Sequence, residues 1–348
     1  TTTVVFEEPP LDFPLPGMSD VMPYPSSRWS SLSEAQLARY RDVWRETLAG
    51  IVARFRPDVI HSHHLGLVSR LVAEVAPDVR RVVHCHATGL RQMELCPGLA
   101  DEVVRHVRSA HAILTLSQQQ TDEVVRRLDY PRERVHVVGS GYREDTFHAR
   151  GREATAAPLV TYAGKLSFAK GLPWLLDAFA RVRERWPEAE LHVAGDGAGP
   201  EADALRERLT TEAGVTWHGF VSADTLATLL RSSAVFMLPS FYEGVPLVLV
   251  EAAACGCQLV APALPGVHEL APGLGDRLRM VTPPRLDVDV PDPRDLPAFG
   301  AALTEAIAAA LTAAQAGSDA GDDAPAEVDL DRFTWRAVAA RVQAVYQP

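Results

Sequence analysis

The sequence predicts an α/β protein of two domains, each built on a parallel β-sheet. At 348 residues and 47% hydrophobic content, the chain exceeds what one ordinary core absorbs. Short β-branched runs alternate with amphipathic segments, which is the pattern of βαβ units. A stretch rich in Ala, Arg, Gly and Thr at 149–157 separates two series of such elements. We therefore expect domains at 1–150 and 151–332, and a closing helix at 333–348 that packs back toward the N-terminal domain.

The first half begins without regular structure. Prolines fix φ and remove amide donors, and they crowd the first 27 residues (Pro9, Pro10, Pro14, Pro16, Pro23 and Pro25). Beyond them, helices are expected at 33–55 and 119–128. The strand candidates, each short and rich in β-branched residues, lie at 58–61, 81–85, 112–116 and 135–138.

The second half repeats the alternation, with strand candidates at 159–163, 190–194, 215–218, 235–238 and 258–261. The helix expected at 172–186 has one apolar face at the helical period, which predicts core (Leu172, Leu175, Leu176, Phe179 and Val182). The small, acidic segment 316–327 predicts a mobile loop. The apolar stretch 245–267 is interrupted by Glu251 and three prolines, so it predicts helix, turn and strand rather than a membrane span.

The charge distribution and the cysteine pattern indicate which partners and which cellular compartment to expect. The net charge is −11, and most of it falls in the second half. Such a balance argues against a nucleic-acid partner and against binding to an anionic membrane. The four cysteines include no CxxC pair, and no signal peptide is visible, so we expect a reduced, cytoplasmic setting.

The stretch FYEGVPLVLVEAAACG, which follows the apolar run VFMLPS, carries the most chemical information. Glu243 falls in a turn marked by Gly244, and Glu251 falls inside the following helix among apolar residues. A carboxylate in apolar surroundings is costly unless a polar partner satisfies it, which suggests a ligand. The amides of Leu247 and Val248 at the helix start offer an anion site suited to a diphosphate.

Two glutamates eight positions apart in an E-G-x-P-L-x-x-x-E-A frame resemble the signature of retaining GT-B glycosyltransferases of family 4. The resemblance implies that Glu243 contacts hydroxyls of the donor sugar and that Glu251 binds the nucleotide ribose. It also implies the GT-B architecture, in which two Rossmann-like domains with parallel sheets face a central cleft. It covers the C-terminal domain almost completely.

The stretch YAGKLSFAKG resembles the family's strand and loop that hold the donor diphosphate, with Gly164, Lys165 and Lys170 as the matching residues. These two lysines are the only ones in the chain. Two ammonium groups at one strand end would neutralise charge on the departing diphosphate, so we expect no metal there. The loops LHVAGDGAGP and HGFVSADTLATLL also match, and they imply that Gly195 lines the nucleotide site and Val221 the base. The sequence does not choose the base, although a UDP-sugar is the leading candidate.

Histidines crowd two predicted strand ends, as DVIHSHHLG (His61, His63 and His64) and VVHCHATG (His84 and His86). Alternating histidines can converge on one metal ion. No carboxylate or cysteine at suitable spacing completes such a set, so we expect none. The resemblance instead implies that His86 reaches the transferred sugar, with His63 beside it on the acceptor side. Packed or solvated histidines without a role stay an alternative.

The N-terminal half departs from the family pattern. A hydrophobic strand, a Gly-Gly loop and a helix usually come first, and none is visible before the proline-rich segment. Whether the protein lacks them, or only this stretch of it, stays open. The phrase PGMSDVMPYPSS around Asp20 is the candidate acceptor-side loop.

These patterns predict a metal-independent, retaining hexosyltransferase that uses a nucleoside diphosphate sugar and a hydroxyl of a small-molecule or glycan acceptor. The candidate catalytic residues are Glu243, His86, Lys165 and Lys170. A nucleotide-sugar 2-epimerase is one alternative, because it would bind the same donors. A non-catalytic sugar-nucleotide-binding protein is another. The oligomeric state is not predicted.

Overall fold

The computed structural model describes residues 1–17, 22, 25–86, 88–152, 158–287, 290–319 and 328–347. The chain forms two compact units: unit 1 is Thr1–Gly139 with Ala339–Pro348, and unit 2 is Ser140–Val338. The division therefore comes before the 149–157 segment at which composition placed it. The reason is packing, because Tyr142 and Phe147 are buried in a hydrophobic cluster of unit 2.

Unit 1 contains a four-stranded parallel sheet whose strands are ordered as in the sequence. Its strands are β1 Val59–His63, β2 Arg80–His84, β3 Ala112–Thr115 and β4 Val135–Val137. Its helices are α1 Glu34–Phe55, α2 Leu67–Val75, α3 Thr88–Leu95, α4 Pro97–Val107 and α5 Gln118–Leu128. The first helix begins where the sequence dictates, because Ser33 and Gln36 form a reciprocal capping box.

Unit 2 contains a six-stranded parallel sheet in the order β10-β9-β8-β5-β6-β7. Its strands are β5 Leu159–Ala163, β6 Glu190–Ala194, β7 Val215–Gly219, β8 Val235–Met237, β9 Gln258–Pro262 and β10 Leu278–Val281. Its helices are α6 Leu172–Arg185, α7 Pro200–Thr211, α8 Ala223–Ser232, α9 Leu247–Ala254, α10 Pro265–Leu274 and α11 Leu296–Asp319. A short antiparallel pair, Leu286–Asp287 with Val290–Pro291, precedes α11. All nine predicted strands are present, and in the described residues β10 and the two strands of the antiparallel pair are additional.

The strand order of unit 2 reverses direction at β5. From β5 the chain builds outward through β6 and β7, and it then returns to place β8 on the other side of β5. In open parallel sheets, ligands bind in the crevice at the carboxyl ends of the strands where the order reverses. The loops after β5 and β8 are therefore where the fold favours a ligand.

The helix α11 is absent from the sequence-based prediction. By length and composition, its stretch Leu296–Ala316 is the one candidate membrane span among the described residues, and 33% of that window is buried. Its apolar side packs into the core of unit 2 through Phe299, Leu303 and Ile307. It also contains residues 316–319, which were expected to begin a loop; residues 320–327 of that loop lie outside the described part.

The last helix, α12 Trp335–Tyr346, begins in unit 2 and ends in unit 1. It starts two residues later than expected, because Asp331–Phe333 forms a single 3-10 turn. Its residues Val342, Val345 and Tyr346 pack on a cluster that includes Val82 of β2. In unit 1 this helix therefore covers the sheet face that carries Val82.

Candidate functional site

The loop after β5 is held in one conformation by hydrogen bonds and by glycine. The N–H of Gly164 donates to the carbonyl of Ala194 at 3.0 Å, and the buried hydroxyl of Tyr162 donates to the carbonyl of Lys165 at 2.9 Å. Lys170 ends a single 3-10 turn, followed by Gly171 at φ +71°. A Cβ on Gly171 would lie 2.0 Å from the carbonyl oxygen of Pro239, so a larger residue does not fit there.

Lys170, in the loop after β5, and Glu243, in the loop after β8, form an ion pair. The Nζ of Lys170 lies 2.7 Å from Oε1 of Glu243, and their side chains are 31% and 15% exposed. The N–H of Phe241 donates to the carbonyl of Ala169 at 3.0 Å, which ties the two loops together. The Phe241 ring packs edge-on against Trp174, with centroids 4.9 Å apart. The pair is thus positioned by the core at the reversal of strand order.

The turn after Glu243 packs closely on the start of α10. A Cβ on Gly266 would lie 1.6 Å from the carbonyl oxygen of Gly244, so the two backbones touch. The amide of Leu247 donates to the carbonyl of Val245 at 2.9 Å. This differs from the expectation that the Leu247 amide is free for an anion. Val248 follows it in the first turn of α9.

Glu251 lies on α9 and is half-buried. Burial raises the pKa of its carboxyl group above the ordinary value. Within the described residues, its side chain makes no hydrogen bond or ion pair. A carboxylate in this condition can accept hydrogen bonds from hydroxyl groups of a ligand.

The remaining predicted donor residues lie at the same edge of the sheet. Lys165 is exposed, and no carboxylate pairs with it in the part of the chain that the structure describes. Gly195 directly follows β6, where a Cβ would lie 1.9 Å from the carbonyl oxygen of Gly164. Val221 follows β7 and is partly exposed. The fold therefore brings the loops after four strands to one edge.

Arg206 on α7 supports this edge, and sequence reasoning did not identify it. Its guanidinium donates to Asp196 Oδ1 at 2.9 Å and also to the carbonyl of Gly197. It lies 6.0 Å from the centroid of the Trp217 ring. Asp196 in turn accepts from the N–H of Gly197 at 2.8 Å. The only sequence signal was an acidic residue between two glycines, which does not reveal its partner.

Two further features of the edge were also missed. The aromatic side chains of Phe220 and Tyr242 are 88% and 68% exposed, beside Val221 and Glu243. The hydroxyl of Ser240 is buried and has no hydrogen-bond partner in the described structure. Each offers a ligand a contact that the protein itself does not use.

In unit 1, four histidines of β1, β2 and the residues just after β2 form one stacked group (His61, His63, His84 and His86). The rings of His63 and His86 are 5.1 Å apart at 14°, and those of His84 and His86 are 4.2 Å apart at 24°. Nδ1 of His63 lies 2.8 Å from Nε2 of His86. His64 instead contacts the hydroxyl of Thr88 at 3.1 Å. The structure thus brings the predicted His63 and His86 into contact.

Burial keeps most of this group neutral. It lowers the pKa of His61 and His86 to about 4 and that of His84 to about 3, with the neighbouring imidazoles adding to the effect. At neutral pH, these rings therefore present both a donor and an acceptor. Asp20, the third predicted acceptor residue, lies outside the described residues.

A mainly apolar cavity of about 120 Å³ adjoins the histidines in unit 1. His63 and His64 line one part of it. Its apolar lining includes Trp29, Leu65, Leu67, Met93, Leu99 and Val103. Sequence reasoning did not identify it, because its walls come from four separate segments.

Two family models match the chain. The model for glycosyl transferases group 1 matches residues 157–311, and the model for glycosyltransferase family 4 matches residues 14–146. Alpha-D-kanosaminyltransferase of Streptomyces kanamyceticus is 29% identical over 55% of this chain and 52% of its own length. MMP alpha-(1->4)-mannosyltransferase of Mycolicibacterium hassiacum is 28% identical over 83% of this chain and 70% of its own. The chain thus spans little more than half the length of the first of these relatives.

Solved structures share the fold. Sucrose-phosphate synthase of Thermosynechococcus elongatus matches with a TM-score of 0.59 at 18% identity, covering 94% of this chain and 81% of its own. Anabaena Alr3699/HepE in complex with UDP and glucose matches with a TM-score of 0.58 at 20% identity, covering 90% of this chain and 82% of its own. At these identities, the likeness concerns the fold alone.

Proposed function

This chain belongs to the group 1 glycosyltransferases and has their GT-B fold, and we propose that it transfers a hexosyl unit from a nucleoside diphosphate sugar to a hydroxyl group. One observation carries the proposal: the 2.7 Å Lys170–Glu243 pair at the reversal of strand order in unit 2. A cation and a carboxylate are held together there by the fold, at the edge where open parallel sheets bind nucleotides.

The diphosphate, ribose and sugar of the proposed donor are each assigned to residues whose charge or hydrogen-bonding capacity suits them. Lys165 and Lys170 would bind the diphosphate, where positive charge stabilises the leaving group. Glu251 would accept hydrogen bonds from the ribose hydroxyls, which relieves the cost of its burial. Glu243 would orient the sugar hydroxyls. With two ammonium groups at the diphosphate, the proposal assigns no metal to this site.

Retention is proposed through a front-face displacement. The bond from the anomeric carbon to the diphosphate oxygen breaks, and the acceptor oxygen bonds to the same face of that carbon. The acceptor proton passes to the departing phosphate oxygen. His86, kept neutral by burial, would orient the sugar or the acceptor by hydrogen bonding.

A UDP-sugar is the proposed donor. The support comes from solved structures of similar fold, one of which holds UDP and glucose. For the acceptor, we propose a small molecule or glycan with an apolar portion that enters the cavity beside His63 and His64. The named relatives are transferases and synthases, which does not favour the epimerase alternative.

The experiment begins with a thermal-shift screen of UDP, GDP and ADP, because a ligand that binds only the native state raises Tm. Sugars on the stabilising nucleotide are then offered with a panel of hydroxyl acceptors, and NMR of the product gives its anomeric configuration. Glu243→Ala should abolish transfer and largely spare diphosphate binding. Glu188→Ala, at an exposed turn, is the matched control. Unchanged turnover in Glu243→Ala would refute the assigned role, and a rearranged sugar formed without acceptor would favour the epimerase.

A further inference from the structure

Three histidines of unit 1 bring ring nitrogens together on one face of the sheet. His61 and His63 are two residues apart on β1, so their side chains share a face. The strand register pairs His63 with His84 of β2, which adds a third imidazole to that face. One ligand atom from each of the three lies within 4.8 Å of the others.

The most buried nitrogens of this group lack partners. Nε2 of His61 and both ring nitrogens of His84 are buried and make no hydrogen bond within the described structure. A buried polar atom left unsatisfied costs about 1–3 kcal/mol. A ligand bound by the cluster would relieve that cost.

The other nitrogen of His61 is engaged in the way typical of a metal ligand. Nδ1 of His61 lies 2.7 Å from the hydroxyl oxygen of Tyr346 on α12. When the Nδ1–H donates to that oxygen, the lone pair is left on the unpartnered Nε2. Such a hydrogen bond on the far side of the ring fixes the tautomer of metal-binding histidines.

We propose that His61, His63 and His84 bind one divalent cation of the zinc type through their ring nitrogens. Neutral imidazoles suit Zn²⁺, Co²⁺, Ni²⁺ and Cu²⁺, and three histidines with an open fourth position form a known zinc donor set. His63 is exposed and gives the ion access from solvent. The proposal departs from the sequence-based expectation of no metal, which required a carboxylate or cysteine that a three-histidine set does not need.

The geometry requires a modest adjustment. Zn–N bonds of about 2.0–2.1 Å in a tetrahedron separate the nitrogens by about 3.4 Å. The histidine nitrogens, within 4.8 Å of one another, must therefore approach by up to about 1.4 Å, which ring rotations supply. Because imidazole lone pairs lie in the ring plane, the rings, which stack within 17° to 26° of parallel, must turn to direct those lone pairs at one ion.

The site has a direct connection to His86. His63 binds the ion with one nitrogen, and its Nδ1 stays 2.8 Å from Nε2 of His86. The bound cation polarises the His63 ring and strengthens its donation to His86. His63 is thus a metal ligand and also a positioning residue for His86. The cation site itself does not depend on the proposed transfer activity.

The test is a Co²⁺ titration of the full chain after dialysis against a chelator, followed by its visible absorption. Wild-type protein should bind one equivalent with the intense bands of four-coordinate Co²⁺, and Zn²⁺ should displace it. His61→Gln and His84→Gln should each weaken binding by about 100-fold, and Tyr346→Phe by about 10-fold. His268→Gln, at an exposed position of unit 2, should bind as the wild type does.

Circular dichroism establishes that each variant is folded, and His63→Gln replaces any variant that is not. The proposal would be overturned if wild-type protein bound Co²⁺ no more tightly than folded His84→Gln does. A loss of the absorption bands in His268→Gln equal to that in His61→Gln would also overturn it. None of these measurements uses a donor or acceptor, so their outcome is separate from that of the transfer experiment.

Discussion

Replacing Lys170 by methionine removes the ammonium group of the site's central ion pair and keeps most of the side-chain volume. At 2.7 Å and an effective dielectric constant of about 20, the gross attraction to Glu243 is about 6 kcal/mol. Desolvation and side-chain ordering offset most of it. Exposed pairs contribute about 0.2–1 kcal/mol, and breaking a buried pair costs about 3–5 kcal/mol. With side chains 31% and 15% exposed, this pair falls between those limits, and we expect a coupling free energy of about 1–2 kcal/mol.

The assay is a double-mutant cycle of Lys170→Met and Glu243→Gln, with free energies of unfolding from urea denaturation. Lys170→Met alone should destabilise more than the double variant does, because it leaves the carboxylate of Glu243 without its cation. Lys165→Met is the matched control for stability. Since Lys165 is exposed and unpaired among the described residues, its effect should stay within about 0.5 kcal/mol.

Lys170→Met also tests the proposed role of Lys170 in stabilising the leaving diphosphate. Removing one group that stabilises developing negative charge typically costs about 10²–10³ in kcat. We expect Lys170→Met to lose that factor and to bind the nucleoside diphosphate more weakly. Two results would refute the reasoning: single-variant effects that add within about 0.3 kcal/mol, and a kcat within about twofold of wild type.

Three other expectations concern four positions, of which Gly195 and Gly50 are compared with each other. Gly195→Ala should destabilise by more than about 1 kcal/mol, since its Cβ would lie 1.9 Å from the Gly164 carbonyl at φ +133°. Gly50→Ala, in open space within α1, should instead stabilise by about 0.5–1 kcal/mol; urea unfolding compares the two, and equal effects would contradict the steric argument. Glu251→Gln should be more stable than wild type at pH 7 but bind nucleoside diphosphate more weakly by calorimetry. Burial raises the folded-state pKa of Glu251, so the buried carboxylate lowers the free energy of unfolding only when it is ionised. This loss of stability is absent below the unfolded pKa of about 4.3, and the stability advantage of Glu251→Gln must grow as pH rises through the folded pKa. His86→Ala should lower kcat and leave nucleoside diphosphate binding within about twofold, and equal losses in both would assign it a structural role.

Short runs rich in β-branched residues predicted the strands. The strands at 159–163 and 190–194 agree residue for residue, because short buried strands end where turn residues begin. The helix α11 was missed for a related reason. Its composition is mostly alanine and other apolar residues, so no clear periodicity separates it from a buried strand or loop.

The family, the two α/β domains and the residue types proposed for the donor site could be inferred from the sequence alone, since those follow from local motifs. Which of those residues meet depends on the tertiary fold. The Lys170–Glu243 pair joins positions 73 residues apart, and the register of β1 with β2 sets His63 beside His84. Strand order and register depend on long-range packing, which no local motif specifies. The Lys170–Glu243 pair and the histidine cluster are therefore properties of the fold.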